Sequence, residues 1–285
     1  MKRNFSRSIV LGLIKIFLIP TSILLGYKGT PFSYLRKGLN FRLNRGEDLF
    51  WLHRDFLKKS GWLESIKFGA PQKNGDPIPW ITYPAFHFIS DLQLKELAVT
   101  EVGSGASSFY FAKHCKSLTT FEDDLNFGKT MLTLQKSFKV NFSLINVSPM
   151  SKKSFTVKYD KELPNLNSFL EVDCSQKAVV SNEVIDITKH LDIFIDSIKQ
   201  ADIIFIDGWF RNLSIYLAGH FSKTSAIIIV DNSDAHYTFK GCNYLLDNNF
   251  YEIPFRGIGP LNTYEWTTSI FARDLNKINY KARQI

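Results

Sequence analysis

The stretch Val99-Thr100-Glu101-Val102-Gly103-Ser104-Gly105-Ala106-Ser107-Ser108 reads as a strand, a glycine turn and the start of a helix. Gly103 and Gly105 let the backbone turn tightly and approach a ligand, and Ser107 or Ser108 can cap the helix that follows. The next apolar run ends in Thr120-Phe121-Glu122-Asp123, which places Glu122 seventeen residues after Gly105. A doubly wound fold keeps there the carboxylate that accepts both hydroxyls of a ribose, so the pair points to a nucleoside with a free diol. Glu101 narrows the class of ligand. A turn that binds a dinucleotide usually has an apolar residue at that position, because the pyrophosphate passes close by, whereas a carboxylate attracts an ammonium or sulfonium group. The plainer alternative is a strand-turn-helix corner that holds no ligand.

A second group of acids follows two later apolar runs. Asp207 stands in Ile206-Asp207-Gly208-Trp209, and Asp231 and Asn232 stand in Val230-Asp231-Asn232-Ser233-Asp234. Ligands of doubly wound folds lie at the carboxyl ends of the strands, so these groups are expected to face one crevice. Three oxygens from two adjacent strand ends suit a hard cation such as Mg2+, with water or a substrate diol completing its shell. The alternative makes Asp207 an ordinary strand-end acid and Asp231-Asn232 an Asx turn or cap. His236 is a further candidate base, against the commoner outcome of a lone surface histidine. Tyr83, in Trp80-Ile81-Thr82-Tyr83-Pro84, is a candidate cover for the bound nucleoside, or a packing residue. The stretch from Gly257 to Trp266 is glycine-rich and carries aromatics, which suits the rim of an acceptor site or a plain hairpin connection.

The elements that must hold these residues alternate along the chain. Strands are expected over 98–102, 118–121, 141–146, 203–206, 226–230, 251–255 and 266–272, with helices near 107–115, 124–137, 187–199, 210–222 and 237–247. Ile203-Ile204-Phe205-Ile206 and Ile227-Ile228-Ile229-Val230 are apolar throughout, so both their faces must be covered, as in a parallel sheet between helices. No helix fits between the last two strands, so they pair as a hairpin with a long loop. A helical stretch over 41–67 precedes the turn-rich Gly75-Asp76-Pro77-Ile78-Pro79-Trp80, where alternate prolines forbid helix. The expected division is an N-terminal extension over 1–74 and an α/β domain over 75–285.

Over roughly residues 78–272 this pattern resembles class I S-adenosylmethionine-dependent methyltransferases, whose first motif is an acid, a variable residue and a GxGxG-like turn. Their sheet also ends in an antiparallel hairpin. The resemblance implies a Rossmann-like, seven-stranded fold, with Glu101, Gly103, Ser104 and Gly105 beside the methionine moiety and Glu122 on the ribose. It departs at Ser107, where that family often has a third glycine. Asp207 followed by the Asp231-Asn232 pair is similar to the catechol O-methyltransferase-like group and implies transfer to a hydroxyl, of a small molecule or of a glycan sugar; read from the residues themselves, either Asp207, Asp231 or His236 takes the proton or the metal does most of the work. That group commonly places a lysine three residues after the first Asp. Here the position is Phe210, and Arg211 next to it stays protonated and is a poor base.

Charge is distributed unevenly. The chain of 285 residues has net charge +8, yet residues 1–60 hold twelve Lys/Arg and three Asp/Glu, whereas residues 61–285 hold twenty-three and twenty-four. Nucleic acid is therefore a poor candidate substrate for the main domain. Lys2, Arg3 and Arg7 precede an apolar run from Ile9 to Ile19 that is broken by Lys15 and closed by Pro20. This makes a poor spanning helix and a poor secretory signal. It suits a helix lying on an anionic membrane surface, or equally one packed on protein. Three widely spaced cysteines form no zinc or disulfide pattern and fit a reducing, cytoplasmic setting. A nicotinamide-dependent oxidoreductase and a non-catalytic membrane-associated interaction protein on the same fold are the competing classes. Glu101 and the terminal hairpin argue against the first.

Overall fold

The computed structural model describes residues 45–147, 154–156, 163, 165–175, 184–186, 188–208 and 210–278. The chain divides into two compact units, Met1–Phe56 and Leu57–Ile285. Of the first, the described part is helical backbone from Arg45 onward, in α1 (Arg45–Ser60); the run from Ile9 to Ile19 lies outside the described residues. Among those that are described, no helix is long and apolar enough to cross a membrane.

The larger unit begins at Leu57. Gly61, at φ 91°, breaks the helical stretch expected over 41–67 and starts α2 (Trp62–Phe68). The Trp62 indole donates to Asn262 O at 2.8 Å, which ties this helix to the loop of the terminal hairpin. β1 (Gln72–Lys73) and β2 (Asp76–Pro77) form a short hairpin around Asn74-Gly75, both at positive φ, as a tight hairpin turn requires. α3 (Tyr83–Ser90), with Pro84 in its first turn, is a helix that the aromatic and proline content of the segment conceals.

The main sheet is built from β3 (Ala98–Val102), β4 (Ser117–Glu122), β5 (Ser143–Asn146), β8 (Ile203–Ile206), β9 (Ile227–Val230), β10 (Tyr251–Gly257) and β11 (Trp266–Ala272). Its order is β10-β11-β9-β8-β3-β4-β5. All neighbours are parallel except β11, which runs antiparallel to both β10 and β9. This is the Rossmann-like, doubly wound arrangement with a terminal hairpin expected of a methyltransferase fold. The helices are α4 (Ala106–His114), α5 (Leu125–Phe138), α6 (Leu166–Ser175), α7 (Thr188–Gln200), α8 (Arg211–Phe221) and α9 (Phe239–Asp247). Between β5 and α7 the chain adds α6 and a small parallel pair, β6 (Ser154–Thr156) and β7 (Val184–Asp186), which sequence periodicity did not reveal.

The unbroken apolar strands divide their side chains between two cores. Ile204, Ile206, Ile228 and Val230 join the cluster that includes Leu191, Phe194, Leu213 and Leu217 from α7 and α8. Ile203, Phe205, Ile227 and Ile229 join the opposite cluster with Phe86, Phe109 and Phe111 from α3 and α4. Each such side chain is nearly or fully buried, worth about 1.5–3 kcal/mol in transfer free energy, so a one-residue slip in register would find no solvent-facing side to accept it.

Candidate functional site

The sheet changes its winding direction between β3 and β8, and the loops that leave these strands meet back to back. Gly103 takes φ 90°, and a Cβ on it would stand 2.5 Å from Gly208 Cα; a Cβ on Gly208 would stand 2.6 Å from Gly103 N. Only two glycines allow the loops to approach this closely. Gly105 is different, with extended backbone at φ 175° and room for a Cβ, whose nearest neighbour would be Ser107 Oγ at 3.9 Å.

Glu122 ends β4 beside this turn. Its Oε2 accepts from Ser104 N at 3.0 Å and Ser104 Oγ at 2.5 Å, and its Oε1 accepts from Asp124 N at 2.8 Å. Each carboxylate oxygen can accept more than one hydrogen bond, so capacity for a diol remains. Glu101 is fully buried one strand away. Its Oε2 accepts from Ser108 Oγ at 2.6 Å, while Oε1 makes no hydrogen bond. Burial pushes this carboxyl up to about 7, opposed by the hydroxyls of Ser107, Ser108 and Thr120 and reinforced by the charge of Glu122. The folded chain thus holds this proton more tightly than the unfolded chain, and folding stability falls as pH rises from 4.5 to about 7. A cation bound near the carboxyl would offset that cost.

An apolar cleft of about 560 Å³, including its solvent-open mouth, adjoins the glycine turn. Val102, Phe121, Val147, Phe194, Phe210 and Leu213 line it, with Gly103 and Asp123 at its edge. None of the apolar residues stands out in the sequence, because each also belongs to an ordinary strand or helix pattern.

Asp207 and the Asp231-Asn232 pair do converge, and Arg211 lies among them. Its terminal nitrogens donate to Asp207 Oδ1 at 2.9 Å and Asn232 Oδ1 at 3.0 Å. Asp231 is 3 % exposed and turns its side chain to β11, where Oδ1 accepts from Trp266 Nε1 at 2.8 Å and Thr268 Oγ1 at 2.6 Å. The Asp207 side chain stays a quarter exposed, and among the described residues no hydrogen bond reaches its Oδ2. Burial and the charge of Asp231 raise the Asp207 carboxyl well above the usual range, with Arg211 opposing them. Burial also raises Asp231, against the bonds from Thr268 and Trp266.

The donor set does not fit the expected Mg2+. Asp207 and Asn232 spend oxygens on a guanidinium that already supplies the positive charge, and Asp231 spends one on the indole and hydroxyl of β11. The sequence presents Arg211 as a poor base and gives no sign of this role, since its partners come from loops up to 21 residues away.

Helix α8, which carries Arg211, is held from outside. Phe210 precedes it in the left-handed region at φ 52° and provides no side-chain cap. Asp173 of α6 supplies one, accepting from Asn212 N at 3.3 Å and Leu213 N at 2.9 Å.

Two expected residues lie elsewhere. Tyr83 does not cover the crevice: it is fully buried in the core beneath α3, its hydroxyl faces Ser60, and burial pushes it up to about 12. His236 is exposed, and its ring packs at 5.5 Å from Tyr237, with no bond to Asp207 or Asp231. In the loop of the terminal hairpin Tyr264 is exposed and lies 6.0 Å from the Trp266 ring, and exposed Trp80 donates to Asn262 Oδ1 of that loop at 3.3 Å.

No family model matches the chain, and no curated protein does. Among solved structures, it is similar to a methyltransferase from Pyrococcus furiosus, at 12% identity and TM-score 0.40, covering 76% of this chain and 95% of that one. It is similar also to an O-methyltransferase from Bacillus cereus in complex with SAH, at 11% identity and TM-score 0.39, covering 84% and 95%. A third is precorrin-6y C5,15-methyltransferase from Geobacter metallireducens, at 13% identity and TM-score 0.40, covering 65% and 83%. The fold assignment rests on this chain's own strand order and register.

Proposed function

We propose that this protein is an S-adenosylmethionine-dependent methyltransferase acting on a hydroxyl of a small molecule or glycan sugar. The observation that carries the reading is the joining of the Gly103–Gly105 turn to Glu122, through the Ser104 bonds, at the carboxyl ends of adjacent parallel strands with Glu101 buried beneath. The residues suit such a cofactor. Glu122 would hold the ribose, the apolar cleft beside Asp123 a flat base, and the acids Glu101 and Asp207 the cationic end. Bound there, the cofactor supplies an electrophilic methyl group. Asp207 Oδ2 would accept the proton of the acceptor hydroxyl that such a methyl group is transferred to. Asp231 holds β9 to β11 and shapes the crevice floor. Trp80 and Tyr264 offer exposed flat faces, which suit an acceptor ring.

Calorimetry with S-adenosylhomocysteine tests the cofactor directly, followed by an acceptor screen. Glu122→Ala is expected to weaken binding by about 1–3 kcal/mol, the scale of charge-assisted hydrogen bonds lost from a diol. An unchanged affinity would remove Glu122 from the ribose. For residues 1–30 we propose an anionic membrane surface as partner, on the strength of the basic groups that flank the apolar run. Truncation should release the protein from phosphatidylserine vesicles at low salt and leave cofactor affinity intact; full-length protein that ignores such vesicles refutes this.

A further inference from the structure

A guanidinium has five N–H donors fixed in one plane, and in Arg211 all five are committed. Nε donates to Gly208 O at 2.9 Å. Nη1 donates to Asp231 O at 2.6 Å and Asn232 Oδ1 at 3.0 Å. Nη2 donates to Asp207 O at 3.0 Å and Asp207 Oδ1 at 2.9 Å. The Tyr237 ring lies 5.5 Å from the guanidinium carbon, and the side chain is 15 % exposed. No donor remains to grip a substrate, so Arg211 is not a substrate-binding group. What it does is gather the ends of β8 and β9 around one permanent charge, at the place where a divalent ion would need the same oxygens.

We propose that Arg211 stands in the place of a divalent cation: a positioning residue that fixes Asp207 by one oxygen, leaves the other oxygen free, and keeps the crevice metal-free. This rests on the methyltransferase reading for its purpose, although the exclusion of metal is measurable without it. A guanidinium differs from a metal in a chemically useful way. It neutralises the acids that crowd the strand ends, yet it has no open coordination position, so the acceptor hydroxyl must lose its proton to Asp207 rather than to a metal-activated centre.

The test is a titration of the full chain with Mn2+, followed by electron paramagnetic resonance. Wild-type protein is expected to show no saturable site up to about 1 mM, a range that covers weak oxygen-ligand sites. Arg211→Ala frees the side-chain oxygens and is expected to gain one Mn2+ site, which a second change, Asp207→Asn, removes again. Arg211→Lys keeps the charge and is expected to stay free of Mn2+ even where its folding suffers, an outcome that a merely structural arginine would not dictate. A stoichiometric Mn2+ site in wild-type protein that Asp231→Asn abolishes would overturn the proposal, and so would a folded Arg211→Ala that takes no Mn2+. If no Arg211 variant folds, the wild-type titration decides alone. Calorimetry with S-adenosylhomocysteine in EDTA separates the two readings. Failure to bind there removes the cofactor assignment and leaves the manganese result standing, whereas binding in EDTA alongside a tight Mn2+ site removes only the arginine proposal.

Discussion

Asp207→Asn is expected to lower turnover by about 10²–10⁴-fold, the usual contribution of a positioned general base, while S-adenosylhomocysteine affinity stays within severalfold of wild type. The substitution preserves shape and leaves a carbonyl oxygen for Arg211 at the position of Oδ1. It takes away only the capacity of the exposed oxygen to accept a proton. Asp231→Asn should behave in the opposite manner, since its carboxylate is buried against Trp266 and Thr268. There the loss should appear first as a lower denaturation midpoint, because a neutral carbonyl accepts from the buried indole and hydroxyl less strongly than a carboxylate does. Single-turnover rates and denaturation curves on both variants, with any acceptor that the screen yields, make the comparison. Undiminished turnover in Asp207→Asn would end its assignment as the base.

Gly103→Ala is expected to cost about 2–4 kcal/mol of folding stability, the sum of a disfavoured positive φ and an overpacked contact. The contact is backbone on backbone, 2.5 Å from the new Cβ to Gly208 Cα, so no side-chain rotation relieves it. Gly105→Ala provides the internal control. Its φ of 175° is open to any residue and its Cβ would meet nothing closer than 3.9 Å, so its stability should stay within about 1 kcal/mol of wild type. Urea denaturation of the two variants side by side checks this. Equal losses would mean that the close approach of the β3 and β8 loops is wrong.

Much of the fold was legible because burial on both faces leaves a mark that single residues carry. Four consecutive apolar residues in β8, and again in β9, can only serve a sheet covered by helices on each side, and the absence of a helical pattern between 257 and 266 leaves a hairpin as the remaining connection. The glycine turn and Glu122 were legible for a similar reason, since strand, turn, helix and next strand are contiguous and their spacing determines which groups meet. Local sequence also placed Asp207, Asp231 and Asn232 at strand ends.

What those three groups do there was decided by tertiary structure. A strand-end position says which end of the sheet a carboxylate occupies, but not which way its oxygens turn. Asp231 turns toward Trp266 and Thr268, 35 and 37 residues away, and Arg211 reaches Asn232 across 21 residues. Tyr83 shows the same limit: Trp, Tyr and Pro side by side look alike whether they cover a ligand or pack a core, and its contact with Ser60 depends on how α1 ends against α3. Periodicity records how much of a side chain is buried, because burial selects residue type along a single element. Partner choice between elements leaves no such periodic record, so the strands and their covered faces follow from this sequence while their order and the identity of the cation in the crevice come only from the folded chain.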